Sequence, residues 1–598
     1  VFAIRTIFQH RQPSEVSVSD TPPVRIANFS GFYGDRDSAM KEMLDGGEID
    51  YLTGDYLAEL TMLILAKGMM KDPSLGYATR FIDHLDSCLD SIADRGVKVV
   101  TNAGGLNPRG LAEALREKIT ERDLGLTVAY VDGDDVREPL RPTVPDALCA
   151  NAYLGAFGIV ECLDSGADIV VTGRVTDASV VVAPAAHHFG WSPDDLDQIA
   201  GAMAAGHVIE CGTQATGGNY SGFNRGVLPE SPVLPGFPLA EIHADGTSVI
   251  TKHEGTGGVV TAGTVTAQLL YEVTGARYAG PDAVLRLDHV RVDDLGDNRV
   301  RISGATGEAP PPTTKVGVSR LGGFRNEVQV LFSGLDVEDK ADLLIRQIDS
   351  LEPRPRTVEY RLERTDHRDA DTQAAASARL VCVVWDPDQK RIAEWGRGVV
   401  GTALASPPGT FFDGAPPKPS MYGTFSPAYV DNDVPAHTAH LADGTDVAIA
   451  PPQTTAELGP SLTDEPLPAY DSTAGADGTT RRAPLGLLVD ARSGDKGGSA
   501  NIGLWTEHDD AYPWLLSTVT ADSVKELLPE TADLEVEVYP LPRLNAVNIV
   551  VQDILGQGVA HGARFDPQGK GLGEWLRSRH VDIPEDLLTH SNNSKEAS

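Results

Sequence analysis

Cysteine is scarce in this chain of 598 residues: five, at positions 88, 149, 162, 211 and 382, with no C-x-x-C pair and no zinc-ligand spacing. That excludes a disulfide framework and a cysteine zinc site, and it fits a reducing compartment. Also missing is any run of the roughly 18–20 apolar residues that a membrane-spanning helix needs. Basic residues are few beside acidic ones, 50 Lys and Arg against 86 Asp and Glu, for a formal net charge of −36. Phosphate recognition needs concentrated Lys and Arg, so nucleic acid is disfavoured as a partner. The acidic excess is spread along the chain, which solubility or a salt-adapted source explains better than a cationic partner does. Hydrophobic residues at 41% and charged residues at 23% are the proportions of a globular protein, and the length exceeds one ordinary core.

Residues 1–23 carry three prolines and little periodicity. Their apolar run is too short for a signal peptide, and Glu15 and Asp20 weigh against a targeting segment, so they read as a loose arm on a cytoplasmic protein. From Val24 the chain alternates between strand and helix signals. Strands are expected at Val24–Phe29, Asp50–Leu52, Val97–Thr101, Leu126–Val131 and Asp168–Thr172, with helices near Asp37–Leu44, Leu57–Gly68, Asn107–Arg122 and Pro145–Ser165. This order implies an α/β domain over 24–280 built on a large parallel sheet. Over 281–405 short strands and a helix at Val337–Leu351 suggest an α+β continuation of that domain. Residues 406–483 are rich in Pro, Gly, Ala, Asp and Thr, a linker composition. Residues 484–585 then offer a strand at Leu485–Val489, a helix at Asp522–Leu528, strands at Leu534–Leu541 and Ala546–Val551, and a helix at Gly571–Arg579. That order suits a small ferredoxin-like α+β domain. The polar end, 586–598, reads as a disordered tail.

Polar, glycine-rich turns follow the strands. In a parallel α/β sheet the carboxyl ends of the strands face one crevice, where ligands bind. In Ser30–Arg36, which is not a G-x-G-x-x-G fingerprint, Asp35 and Arg36 are candidates for substrate binding beside exposed backbone N–H groups. Asp55 and Asn102, the latter beside Gly104 and Gly105, join them as pocket residues. So do Thr172, Arg174 and Asp177, directly after a β-branched strand. A cap by Thr176 or Asp177 accounts for part of this segment and leaves Arg174, whose planar fork suits a carboxylate or thioester oxygen.

The densest segment is Gly206–Asn219. It offers His207 and Glu210 as an acid/base pair, Cys211 as an optional nucleophile and Gln214 as a binding residue. A lone cysteine is more often a small buried hydrophobe. A second pair, His253 and Glu254, sits in a glycine-rich stretch. Without H-E-x-x-H or His-x-His spacing, a divalent metal is a minority reading and no cofactor is expected. In the last unit, Asp490–Asn501 reads as an anion-binding loop after a strand, with Arg492 and Lys496, although Walker A spacing is missing.

These stretches, Ser30–Arg36, Thr172–Asp177, Gly206–Gly218, His253–Thr264 and above all Ala491–Gly503 (ARSGDKGGSANIG), together with Pro542–Gly558, resemble the AtuA-like acyclic terpene utilisation proteins over about residues 24–585. The resemblance implies a large α/β domain joined to a ferredoxin-like domain that is sometimes a separate polypeptide. It also implies a place in the breakdown of citronellol- and geraniol-type terpenoids alongside acyl-CoA carboxylation, without supplying the reaction.

The expected function is therefore a catabolic enzyme acting on a branched acyl-CoA or carboxylate by addition–elimination or C–C cleavage. The alternatives are a Cys211-dependent hydrolase and a non-catalytic subunit associated with acyl-CoA-processing enzymes. A small-molecule substrate is expected as partner, and chain size favours a homo-oligomer.

Overall fold

The strand-like runs assemble into one eleven-stranded sheet in the computed structural model, which describes residues 21–225, 228, 234–469 and 479–590. Its parallel centre comes from β1 (Val24–Ser30), β2 (Tyr51–Gly54), β3 (Lys98–Thr101), β4 (Val128–Asp132) and, after the strand β5 (Ala147–Ala152), β6 (Ile169–Thr172). The spatial order is β1-β2-β3-β6-β4, so β6 inserts between two strands that precede it in the chain. These strands are apolar on both sides because both are covered. Val99 and Ile169 face the helices Ala39–Gly46, Thr79–Asp86 and Pro108–Glu121. Val100 and Val170 face Phe157–Asp164, Ser179–Phe189 and Leu196–Ile209.

The sheet is mixed rather than purely parallel. Antiparallel β7 (Pro238–Ile242) and β8 (Ser248–Lys252) extend it beyond β1, and Arg299–Ser303 and Arg291–Gly296 follow. The last two strands cross the boundary expected at residue 280: the chain returns to the main sheet instead of starting a new unit.

A second sheet is built on one 21-residue strand, Thr313–Ser333. Its first half pairs with β5 and Ser420–Asp431, and its second half with Ser377–Asp386 and Thr410–Phe412. Three expectations are corrected here. The helix expected over 145–165 is strand β5 followed by a helix of eight residues, because β5 is needed to pair with the long strand. The linker expected over 406–483 is structured over much of its length. Ser420–Asp431 pairs along the long strand, and Thr438–His440 and Asp446–Ala448 complete the far edge of the main sheet beside β4. Residues 470–478 of that expectation lie outside the described residues, as do 1–20 of the arm and 591–598 of the tail. The tail's first residues are ordered, with Leu587 and Leu588 buried.

In the C-terminal part, the strand expected at 485–489 lies at Asp490–Lys496. The "anion-binding loop" is this strand hairpinned onto Ser499–Trp505 through Gly497-Gly498. The sheet is completed by Ala546–Val551 and Val536–Leu541, with helices Tyr512–Thr518, Ala521–Leu527 and Leu572–Arg577 packed against it. No helix among the described residues is long and apolar enough to cross a membrane.

Candidate active site

Three of the strand ends deliver polar groups to one place. After β2, Asp55 is buried, and its Oδ1 accepts from Asn102 Nδ2 at 2.5 Å and from the Leu57 amide at 3.2 Å. Asn102, from the end of β3, is fixed in turn by the Tyr56 amide, which donates to its Oδ1 at 2.8 Å. After β6, Arg174 Nη1 donates to Asp177 Oδ1 at 2.6 Å, and the guanidinium carbon lies 4.2 Å from the Tyr153 ring centroid. The backbone of Arg174 is held from behind by Asp134, which accepts from its amide at 2.9 Å and from Asn151 Nδ2 at 2.7 Å.

Helix Leu196–Ile209 ends against the same crevice and presents Glu210 and Cys211. Asn28 of β1 holds this end, its Nδ2 donating to the carbonyls of Ile209 at 2.6 Å and Glu210 at 2.9 Å. Position 31 must be glycine for the approach: a Cβ there would come within 2.5 Å of the Cys211 carbonyl carbon.

The remaining walls come from far along the chain. Tyr271 and Glu272 follow helix Ala262–Leu269, Lys315 comes from the long strand, Phe425 from its partner, and Asp495, Lys496 and Lys570 from the C-terminal domain. Together they enclose a cavity of about 540 Å³. The C-terminal motif packs against this cavity. Arg492 lies over the Tyr271 ring, with its guanidinium carbon 4.2 Å from the centroid, and it also donates to Gln214 Oε1. Lys570 Nζ donates to the Tyr271 hydroxyl at 2.8 Å.

Burial, with the Asp177 charge adding to it, pushes the carboxyls of Asp55 and Glu210 well above the usual carboxylate range. Glu210 Oε2 is buried with no hydrogen-bond partner. Burial also draws His207 down to about 4, so its ring is neutral at pH 7. Its Nδ1 lies 3.3 Å from Glu210 Oε1, not aligned for a hydrogen bond, and neither ring nitrogen has a partner. Burial pushes the Cys211 thiol well above its ordinary value. Cys211 is therefore a thiol and not a thiolate, which removes support from the cysteine hydrolase. Burial lowers Lys315 and raises Asp495 to about 7.

Of the residues singled out from the sequence, Asp35, Asp55, Arg174, Asp177, Glu210, Cys211, Gln214 and Lys496 line the cavity. Asn102, His207 and Arg492 stand directly behind it, as described. Thr172 is buried, its hydroxyl donating to the Gly173 carbonyl at 2.9 Å. Three expectations do not hold. Arg36 is committed elsewhere: it donates to Glu42 Oε2 at 2.6 Å and the Pro235 carbonyl at 2.9 Å, and it stacks on Phe237. His253 is buried against Gly46 and Gly47 with Nε2 3.0 Å from the Met43 carbonyl, and neither it nor the exposed Glu254 reaches the cavity.

Sequence reasoning missed Tyr153, Tyr271, Glu272, Lys315 and Lys570. Among the described residues the one set of three metal-ligand types with atoms within 4.8 Å is Asp288, His289 and Asp464, away from the cavity. Arg286 already bridges its two carboxylates.

Residues 24–441 match the family described as acyclic terpene utilisation family protein AtuA, and residues 483–582 match the AtuA ferredoxin-like domain. No curated protein matches the chain. The first match alone spans more than half of the 598 residues, and the cavity draws its walls from both matched regions. The chain belongs to the acyclic terpene utilisation family AtuA, with the family's ferredoxin-like domain at its C-terminal end.

Proposed function

We propose that this protein is an enzyme of acyclic terpenoid or branched-chain acyl-CoA breakdown, performing acid/base addition–elimination on an acyl thioester or carboxylate. Family membership implies involvement in acyclic terpene utilisation. The observation that carries the enzymatic reading is Glu210, a cavity-lining carboxyl that burial pushes well above the usual carboxylate range and that has no partner for Oε2. A carboxylic acid in that state is a general acid waiting for a substrate oxygen. Arg174, Lys315 and Lys496 supply the positive charge that an acyl oxygen needs as an enolate develops. Asp55, raised in the same way by burial, donates or accepts a hydrogen bond at the same substrate, and the neutral ring of His207 lies behind Glu210. C–C cleavage at the same carbon would use the same groups; the unpartnered acid beside a cation set favours loss or addition of water.

The test is incubation in D₂O with branched and acyclic terpenoid acyl-CoA thioesters and free acids, following deuterium uptake and gain or loss of water by mass. Glu210→Gln should lower turnover by about 10²-fold or more, with an unchanged melting temperature. Wild-type turnover that survives in Glu210→Gln would overturn the assignment, and absence of turnover across the whole panel would count against the reaction class.

A further inference from the structure

We infer that Glu272 is a catalytic base of the cavity, and that the C-terminal domain exists in part to clamp it there. This rests on the acid/base reading of the cavity above.

Nine non-glycine residues among those described have positive φ; eight are Asp or Asn, and the ninth is Glu272, at φ 57°. Asp and Asn tolerate this left-handed conformation because their short side chains bond locally, whereas Glu has no such compensation. A turn that merely needed the conformation would carry Gly or Asn. What Glu adds at position 272 is a carboxylate inside the cavity, and strain of this kind persists where surrounding structure over-determines it.

The C-terminal sheet is that surrounding structure. Asn501 Oδ1 accepts from the Glu272 amide at 2.8 Å, and Asn501 Nδ2 donates to the Leu270 carbonyl at 2.6 Å. Asn548, bonded to Asn501 at 2.8 Å, donates to the Val273 carbonyl at 3.0 Å. Both asparagines are buried on neighbouring strands. Two glycines shape the sheet to the turn: a Cβ at Gly494 would lie 2.3 Å from the Tyr271 ring, and one at Gly503 would lie 2.4 Å from Leu270 Cβ. Arg492 and Lys570 close on Tyr271 from the same side. Arg492, Gly494, Asn501 and Gly503 of the ARSGDKGGSANIG motif thus form a mould for residues 270–273.

The chemistry then divides between two carboxyls in one cavity. For loss of water from a β-hydroxyacyl group, the Glu272 carboxylate takes the α-proton, and the C–H electron pair moves onto the acyl oxygen beside the cations. The pair returns to form the C=C bond as the β C–O bond breaks, and Glu210 gives its proton to the departing hydroxyl, which leaves as water. Proton exchange with solvent restores Glu272 to carboxylate and Glu210 to acid. After burial and Asp177, the Glu272 charge is among the causes that raise Glu210, so the two carboxyls are electrostatically linked.

The test uses full-length Glu272→Gln, Glu272→Gly and Asn501→Ala, with the acyl-CoA panel as probes. Glu272→Gly should melt no lower than wild type, because glycine suits the conformation; a clearly lower melting temperature would overturn the inference with or without a known substrate. Glu272→Gln should lose about 10²-fold or more in turnover, and with it deuterium exchange at the substrate α-carbon. Asn501→Ala should speed hydrogen exchange at the Glu272 amide and reduce turnover. If Glu210→Gln is inactive while Glu272→Gln keeps its rate and its α-carbon exchange, Glu272 is not the base and the wider acid/base reading stands. If Glu210→Gln retains activity, the wider reading is the one that fails.

Discussion

Asp134 holds the amide of Arg174 from outside the cavity, and burial raises its carboxyl to about 7. A carboxyl whose folded pKa exceeds its unfolded value favours folding fully below about pH 4 and loses that contribution as pH rises through 7. Asp134→Asn removes this dependence. Between pH 5 and pH 8 the unfolding free energy of the variant relative to wild type, followed through the melting temperature, should therefore move in the variant's favour, by about 3 kcal/mol at most. A constant difference across that range would show that Asp134 does not titrate there. At this scale the sequence reveals residues that sit in polar turns after apolar strands. Asp55, Asn102 and Arg174 stand out because nothing in a strand-to-helix connection requires them. Glu272 and Lys315 do not stand out: one follows an ordinary helix, the other occupies one position of an alternating strand, and only pairing far along the chain points them inward. Arg36 and His253 mislead for the opposite reason, since Glu42, Phe237 and the Met43 carbonyl satisfy them locally in space.

Helix Leu196–Ile209 delivers its last turn to the cavity because Asn28 accommodates two carbonyls that the helix leaves unpaired. Asn28→Ala should cost about 2–4 kcal/mol, since both acceptors stay buried without the donor. Urea denaturation would show this as a lower midpoint with an unchanged slope; a midpoint equal to wild type would mean that the helix end is held by its packing alone. Helices and parallel strands of the N-terminal domain are readable because periodicity and glycine turns agree. The strand Ser420–Asp431 is not, because Gly423 and Pro427 look like breakers, yet both sit in an outer strand opposite Leu321 and Gly317 of the long strand. The Asp490–Lys496 strand hides behind polar, glycine-rich composition. Its Gly494 makes room for the Tyr271 ring, while Ser493 bonds the Lys570 carbonyl and the Gly573 amide.

Across the whole molecule, Arg225 ties the α/β domain to the C-terminal domain by donating to buried Asp490 and, at 2.9 Å, to Glu507. Arg225→Met leaves Asp490 with only the more distant Arg577, 3.6 Å away. The variant should lose about 3 kcal/mol and separate a C-terminal transition from the main one in calorimetry. A single transition at the wild-type temperature would show that the clasp at residues 270–273 suffices to join the two. Tyr271 and Lys570, whose hydrogen bond spans 299 positions of sequence, carry a consequence for synthesis. A ribosome makes this chain from its amino end, and domains fold as they emerge. The acid-bearing crevice is therefore complete as a polypeptide long before its final wall leaves the exit tunnel. Until then Tyr271 lacks its covering sheet and Glu272 has no asparagine to hold it. On the proposed reading of the cavity, the crevice of the nascent chain gains the groups that hold Tyr271 and Glu272 only once the strands carrying Asn501 and Asn548, and then Lys570, have been made.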